Sequence, residues 1–129
     1  MMNQLRAEII SSAVSRIEEL QLDTIQQRYR FSPDFIGFCG HFPGNPILPA
    51  FVQILVALTL TERHRGCRFE AASVEKAKFR IPLQPDQIIE VACRHRPGGD
   101  LSGCEARLSV PDGLAASFRI HFYEKENGK

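Results

Sequence analysis

The spacing of apolar positions changes several times along the chain, and each change predicts an element. Leu5 and Ile9 stand four residues apart, as on one face of a helix, and predict a short amphipathic helix over residues 3–11. Residues 13–20 fit a helix and a strand equally well. Over residues 23–31, Ile25, Gln27, Tyr29 and Phe31 alternate with polar neighbours, the period of a strand. Residues 32–49 then carry four prolines and three glycines and predict a punctuated loop. Ordered loops of that length in a small chain usually serve function.

Pro49 suits the first turn of a helix, where its missing N–H would be unpaired anyway. The helix is expected over residues 50–65 and stops at Gly66. Phe51, Val52, Ile54, Leu55, Val56, Leu58 and Leu60 leave no polar stripe on its first three turns, so it is expected to be buried all round. Residues 69–81 predict a strand with Lys76, Lys78 and Arg80 on one face and Ala77, Phe79 and Ile81 on the other. Further strands follow over residues 88–93, 104–110 and 114–123, separated by turns at 84–86, 97–99 and 111–113. Strands joined by short turns pair antiparallel. The expected architecture is α+β: one antiparallel sheet curled around one apolar helix, a single domain over residues 1–129 with 1–12 as a short N-terminal segment.

Composition narrows the function classes. The chain has 129 residues, with 16 Lys and Arg against 15 Asp and Glu, a net charge of +1. That balance argues against a nucleic-acid binder and against a disordered chain. A domain of this size buries only about two-thirds of its unfolded surface, so a partner subunit would help it. The most apolar stretch, residues 46–60, is 15 residues long and interrupted by two prolines and Gln53. A membrane helix needs about 20 apolar residues, so this stretch reads as a core helix and no membrane partner is expected. The start of the chain lacks the apolar core of a signal peptide, which points to the cytoplasm. Cys39, Cys67, Cys93 and Cys104 form no C-x-x-C pair and read as reduced, buried small side chains. No Cys–His or H-x-x-x-H spacing suggests a metal site, and no glycine-rich phosphate loop suggests a nucleotide cofactor, so none is expected.

Chemistry concentrates at residues 38–53, FCGHFPGNPILPAFVQ. His41 lies between Gly40 and a Phe42–Pro43–Gly44 turn, nine residues ahead of the helix start at Ala50. The first N–H groups of a helix lack intrahelical partners and favour an oxygen that carries negative charge. An imidazole fixed near them can remove a proton beside a carbonyl while they hold the enolate oxygen. A lone histidine in a Pro/Gly loop is, however, more often a structural hydrogen-bonder.

The run G-H-F-P-G-N-P-I-L-P, Gly40 to Pro49, resembles the signature of 3-hydroxyacyl-acyl-carrier-protein dehydratases of the hotdog-fold superfamily, the FabA/FabZ type. K-A-K-F-R-I-P-L-Q-P, Lys76 to Pro85, is similar to the family's basic strand ending in P-V-x-P-G-D. The similarity covers nearly the whole of residues 13–123 and implies a curved antiparallel sheet around a long central helix, usually dimerised into a continuous double sheet. It favours a strand over residues 13–20. It also implies that His41 is the base taking the α-proton of a thioester and that the Ala50 and Phe51 backbone N–H groups polarise its carbonyl. The acyl chain would lie at the dimer interface, with Gly40, Phe42, Pro49, Ala50, Phe51 and Leu55 against the substrate. The implied partner is a substrate on acyl carrier protein or coenzyme A, and the implied assembly is a homodimer or higher oligomer.

The sequence departs from that pattern in three places. The family's catalytic Glu or Asp follows the histidine by fourteen positions and acts from the partner subunit; here that position is Leu55, which cannot donate a proton. Losing a general acid costs about 10²–10⁴ in rate, roughly 3–5 kcal/mol of barrier. Glu62 shares the helix face but sits about 10 Å further along the axis, and Gln53 points about 200° away and is no acid. Asp34 and Glu75 are carboxylates without supporting spacing. Ala50 stands where the family has Gly, and Asp86–Gln87 replaces Gly-Asp. I-L-P followed by Gln53 is similar to a dehydratase-like branch associated with aryl polyenes.

Basic clusters at Arg63, Arg65 and Arg68, at Arg94 and Arg96, and on the Lys76 strand would suit an acidic carrier protein, or simply solvent. Three functions remain in view. The first is a dehydratase giving a trans-2-enoyl thioester, with water or an unassigned carboxylate as acid. The second is a non-catalytic acyl-thioester-binding subunit, including a hetero-dimer with an acid-bearing paralogue. The third is a hotdog thioesterase.

Overall fold

The computed structural model describes residues 2–38, 44, 46–98 and 101–125. In chain order it contains helix α1 (Met2–Ser11), strands β1 (Glu18–Leu20) and β2 (Thr24–Arg30), a 3₁₀ turn (Ile36–Phe38) and helix α2 (Ala50–Arg65). Strands β3 (Phe69–Phe79), β4 (Ile88–Arg96), β5 (Ser102–Val110) and β6 (Gly113–Glu124) follow. The six strands form one sheet in the order β1-β2-β4-β5-β6-β3, antiparallel at every step.

The short connections set most of that order, because strands separated by a tight turn pair with each other. The β5–β6 hairpin closes at Gly113, whose φ of 136° lies where a side chain would be strained. Period-two alternation decides which face meets the helix: Ile89, Val91 and Cys93 of β4 and Phe118, Ile120 and Phe122 of β6 are buried. Gln27 occupies a core position of β2 and is made tolerable there by a closed network. Its Nε2 donates to the Ser15 carbonyl at 2.9 Å, and its Oε1 accepts from Tyr29 Oη at 2.8 Å and Arg63 Nη2 at 2.7 Å. In residues 13–20 only Glu18–Leu20 is a strand, and Ala13 makes an isolated bridge to Tyr29.

α2 covers the predicted residues and ends at Gly66, whose φ of 74° is the left-handed cap conformation. Pro49 is its N-cap, one position earlier than the sequence suggests. Its burial is also less even than expected. Val52, Gln53 and residues 55–62 are buried, but Ala50 is exposed and Phe51 is 56% exposed, so the first turn projects from the wrapped region. Thr59 and Thr61 are tolerated inside because their hydroxyls donate to the Val56 and Ala57 carbonyls at 2.9 and 3.0 Å.

β3 departs most from its sequence pattern. Glu75 pairs with Arg119 and Lys78 with Ser117, so two residues three apart share the face that Arg119 and Ser117 present. A bulge at Lys76, whose φ is 53°, absorbs the extra residue and resets the alternation. Lys76 and Lys78 therefore do not continue one regular stripe. Every residue of β3 after Phe69 is exposed, including Val74 at 38% and Phe79 at 43%, and the strand lies at the edge of the sheet.

Candidate active site

The N-terminus of α2 is fixed by its neighbours on both sides. The Leu48 side chain is buried, its N–H donates to the Leu83 carbonyl at 2.8 Å, and its carbonyl accepts from Gln53 Nε2 at 2.9 Å. The segment entering the helix is thus tied to the β3–β4 connection and to the first turn of α2. The Arg80 and Ile81 N–H groups both donate to the Ala115 carbonyl, at 2.7 and 3.1 Å, which ties the exit of β3 to β6.

Between these parts lies a cavity of about 350 Å³, walled by Ile47, Leu48, Pro49, Ala50, Gln53, Phe79, Arg80, Ile81 and Pro82. The Val52 and Gln53 N–H groups both donate to the Pro49 carbonyl at 3.1 Å. Among the described residues nothing accepts from the Ala50 and Phe51 amides, which leaves two donors at the positive end of the helix dipole. Pro49 and Ala50 thus stand together in the cavity wall. Phe51 is exposed beside it, and Leu55 is 5% exposed within the hydrophobic core. Gly40, His41 and Phe42, with Cys39, lie outside the described residues.

None of the carboxylates considered from sequence is part of this cavity. The Glu62 side chain pairs with Arg6 and accepts from the Phe69 N–H at 3.0 Å, so it is committed to joining α1, α2 and β3. Glu75 faces His121 at 3.3 Å beside β6. Asp34 is exposed on a separate depression next to α1. Sequence reasoning set Gln53 aside because an amide is no acid. The structure buries it at the cavity, 4% exposed, with no partner for Oε1 among the described residues. The available signal was a lone polar residue within an apolar helical run.

A second, more enclosed cavity of about 190 Å³ lies at the other end of α2, bordered by Thr61, His64, Arg65, Cys93, His95 and Cys104 among others. A hydrogen bond between the two thiols holds the Cys104 thiol below its usual range, and the same bond together with burial pushes Cys93 up. Burial, reinforced by Arg65, lowers the His95 imidazole. Among the described residues no three His, Cys, Asp or Glu side chains cluster as metal ligands, and no helix is long and apolar enough to cross a membrane.

A curved antiparallel sheet holding one central helix, with a cavity at the helix's open N-terminus, defines the hotdog class. Solved structures agree on that fold. The Dehydratase Heterocomplex ApeI:P from Xenorhabdus doucetiae superposes with a TM-score of 0.73 at 22% identity, covering 86% of this chain and 96% of that one. A hypothetical thioesterase with coenzyme A from Streptococcus pneumoniae superposes with a TM-score of 0.66 at 9% identity, covering 97% of each chain. The family model described as ApeI-like, ApeI dehydratase, matches residues 17–122, and the chain belongs to that family. Among curated relatives, the 3-hydroxyacyl-[acyl-carrier-protein] dehydratase FabZ of Lactobacillus helveticus is 30% identical over 95 residues, 66% of this chain and 63% of that protein. The FabZ of Cereibacter sphaeroides is 35% identical over 89 residues, 61% of this chain and 57% of that protein. The matched stretch thus spans about three-fifths of these relatives' length.

Proposed function

We propose that this protein is a dehydratase of acyl-thioester metabolism that removes water from a (3R)-hydroxyacyl thioester, carried on acyl carrier protein, to give the trans-2-enoyl thioester. The observation that carries this reading is the pair of amides, Ala50 and Phe51, that no described residue accepts from, beside a cavity on the C-terminal side of the G-H-F-P-G-N-P-I-L-P run. In this reading the thioester carbonyl accepts from those amides. His41 removes an α-proton, and negative charge gathers on the oxygen facing the helix dipole. The C–O bond at carbon 3 then breaks, and the hydroxyl leaves as water once protonated. The described cavity wall offers no carboxylate for that proton, so its donor is a water molecule or the imidazolium that the first step creates. A coenzyme A thioester presents the same reacting atoms, and the activity belongs to the cytoplasm, where such thioesters are made.

The exposed edge of β3, with Val74 and Phe79, supports a dimer in which a second strand continues the sheet. Leu55 at the acid position favours a second reading, in which this chain is the thioester-binding member of a hetero-dimer and another subunit supplies the acid.

Purified protein supplied with 3-hydroxyacyl and 2-enoyl thioesters on acyl carrier protein is expected to interconvert them, followed by enoyl absorbance, and His41→Ala is expected to abolish the interconversion. Release of free thiol instead would identify a thioesterase. Carrier-protein binding without turnover would support the hetero-dimer.

A further inference from the structure

The Gln53 side chain has only one arrangement that fits its surroundings. The Leu48 carbonyl can accept but not donate, so the end of the amide facing it, at 2.9 Å, is the NH₂ group. The carbonyl end is therefore turned the other way. Gln53 itself lines the cavity, and among the described residues nothing donates to its buried Oε1. A buried acceptor without a donor is costly, and native structures rarely keep one without a purpose. The same side chain already anchors Leu48, which fixes the direction of the free oxygen.

Ala50 precedes Gln53 by three residues, so the two lie on neighbouring turns of the same helix face. Their levels along the axis differ by about 4.5 Å. The site therefore offers donors at the helix start and one acceptor just deeper along the wall. Its complement is a ligand with a hydrogen-bond acceptor and a hydrogen-bond donor a short distance apart. A 3-hydroxyacyl thioester has both, since its carbonyl oxygen and its hydroxyl sit on carbons separated by a single methylene. A saturated acyl thioester has only the carbonyl.

We propose that the buried amide oxygen of Gln53 accepts a hydrogen bond from the 3-hydroxyl of the acyl substrate and so selects hydroxyacyl over saturated chains. This rests on the thioester-dehydratase reading and adds a substrate-binding residue to it. With its hydrogen held by Gln53, the hydroxyl's lone pairs remain free to take the proton that breaks the C–O bond. Gln53 would therefore contribute to orienting the leaving group without acting as an acid.

The test compares binding of 3-hydroxyoctanoyl and octanoyl chains loaded on acyl carrier protein, measured by calorimetry in the His41→Ala protein so that no turnover occurs. The hydroxylated chain is expected to bind roughly 3- to 10-fold more tightly, the worth of one hydrogen bond. Adding Gln53→Met, similar in volume but without the acceptor, is expected to erase that preference while leaving octanoyl binding in place. Gln53→Glu is expected to restore it, because a buried protonated carboxyl can donate to Leu48 and still accept from the hydroxyl. Equal affinity for the two chains with Gln53 present overturns the proposal while leaving the thioester reading intact, and needs no variant at position 53. A preference that survives Gln53→Met also overturns it. If neither chain binds, the thioester reading fails and takes the proposal with it.

Discussion

Arg6 of the first helix is ion-paired with Glu62 of the central helix across 56 residues of sequence, and both side chains are largely shielded from water. Glu62 also accepts from the Phe69 N–H at the start of β3. One carboxylate therefore joins three elements, which is a structural employment. Arg6→Ala leaves that charge buried without its cation and is expected to lower stability by about 3 kcal/mol, the lower end for breaking a buried pair. Urea denaturation followed by circular dichroism measures it. A change under about 0.5 kcal/mol, typical of exposed pairs, would contradict the assignment.

Leu55 gives a prediction with opposing parts. Leu55→Glu places a carboxyl where the family resemblance of the sequence implies an acid, and under the proposed dehydratase reading is expected to raise dehydration about 10²-fold, the lower range for general acid catalysis. Leu55 belongs to the hydrophobic core of this chain, so the introduced carboxyl pays for desolvation and the melting temperature is expected to fall. Initial rates of enoyl formation, normalised to folded protein, separate the two effects. An unchanged rate in folded protein would mean that more than the acid is missing.

His95 sets a pH dependence at the far end of α2. Burial and Arg65 lower its pKa in the fold, against the attraction of Asp23. The neutral ring is therefore the form the folded state favours, and the unfolded chain takes up a proton first on acidification. His95 accordingly costs nothing above its unfolded pKa of about 6.5 and opposes folding as the pH falls below it. Melting temperatures from pH 8 to pH 5 are expected to fall less steeply for His95→Gln than for the unsubstituted protein. Parallel curves would show that His95 contributes no such dependence.

The exposed edge of β3 leads to an assembly prediction. Val74 pairs with Ile120 and Phe79 with Ala116, so both lie on the sheet face turned toward the helix, yet both are exposed in one chain. A dimer built on this edge would cover them. Val74→Lys together with Phe79→Glu is expected to shift the protein to monomer, read as a halved mass by light scattering with the circular dichroism spectrum retained. A mass unaffected by both charges would place the interface elsewhere.

Much of this protein was legible one residue at a time. Alternating apolar residues in β2, β4 and β6 specified a half-buried sheet, and a run over residues 50–58 that is apolar except for Gln53, between Pro49 and the stop at Gly66, specified the central helix, because burial periodicity and backbone punctuation are local properties. The G-H-F-P-G-N-P-I-L-P run pointed to acyl-thioester chemistry through its resemblance to a family signature. The fate of the polar residues inside that pattern was not legible, since it depends on which groups the fold brings opposite them. Gln27 is satisfied by Ser15, Tyr29 and Arg63, whereas Gln53, which lines a cavity, has no donor for its oxygen among the described residues. Glu62 was set aside from sequence for its distance along the axis, and only the fold gave it a place between Arg6 and Phe69. The bulge at Lys76, which broke the expected basic stripe, likewise came from pairing with β6 and not from the composition of β3. Sequence periodicity selects the face a residue occupies, but the partners waiting on that face come from distant parts of the chain, and only the folded structure decides them.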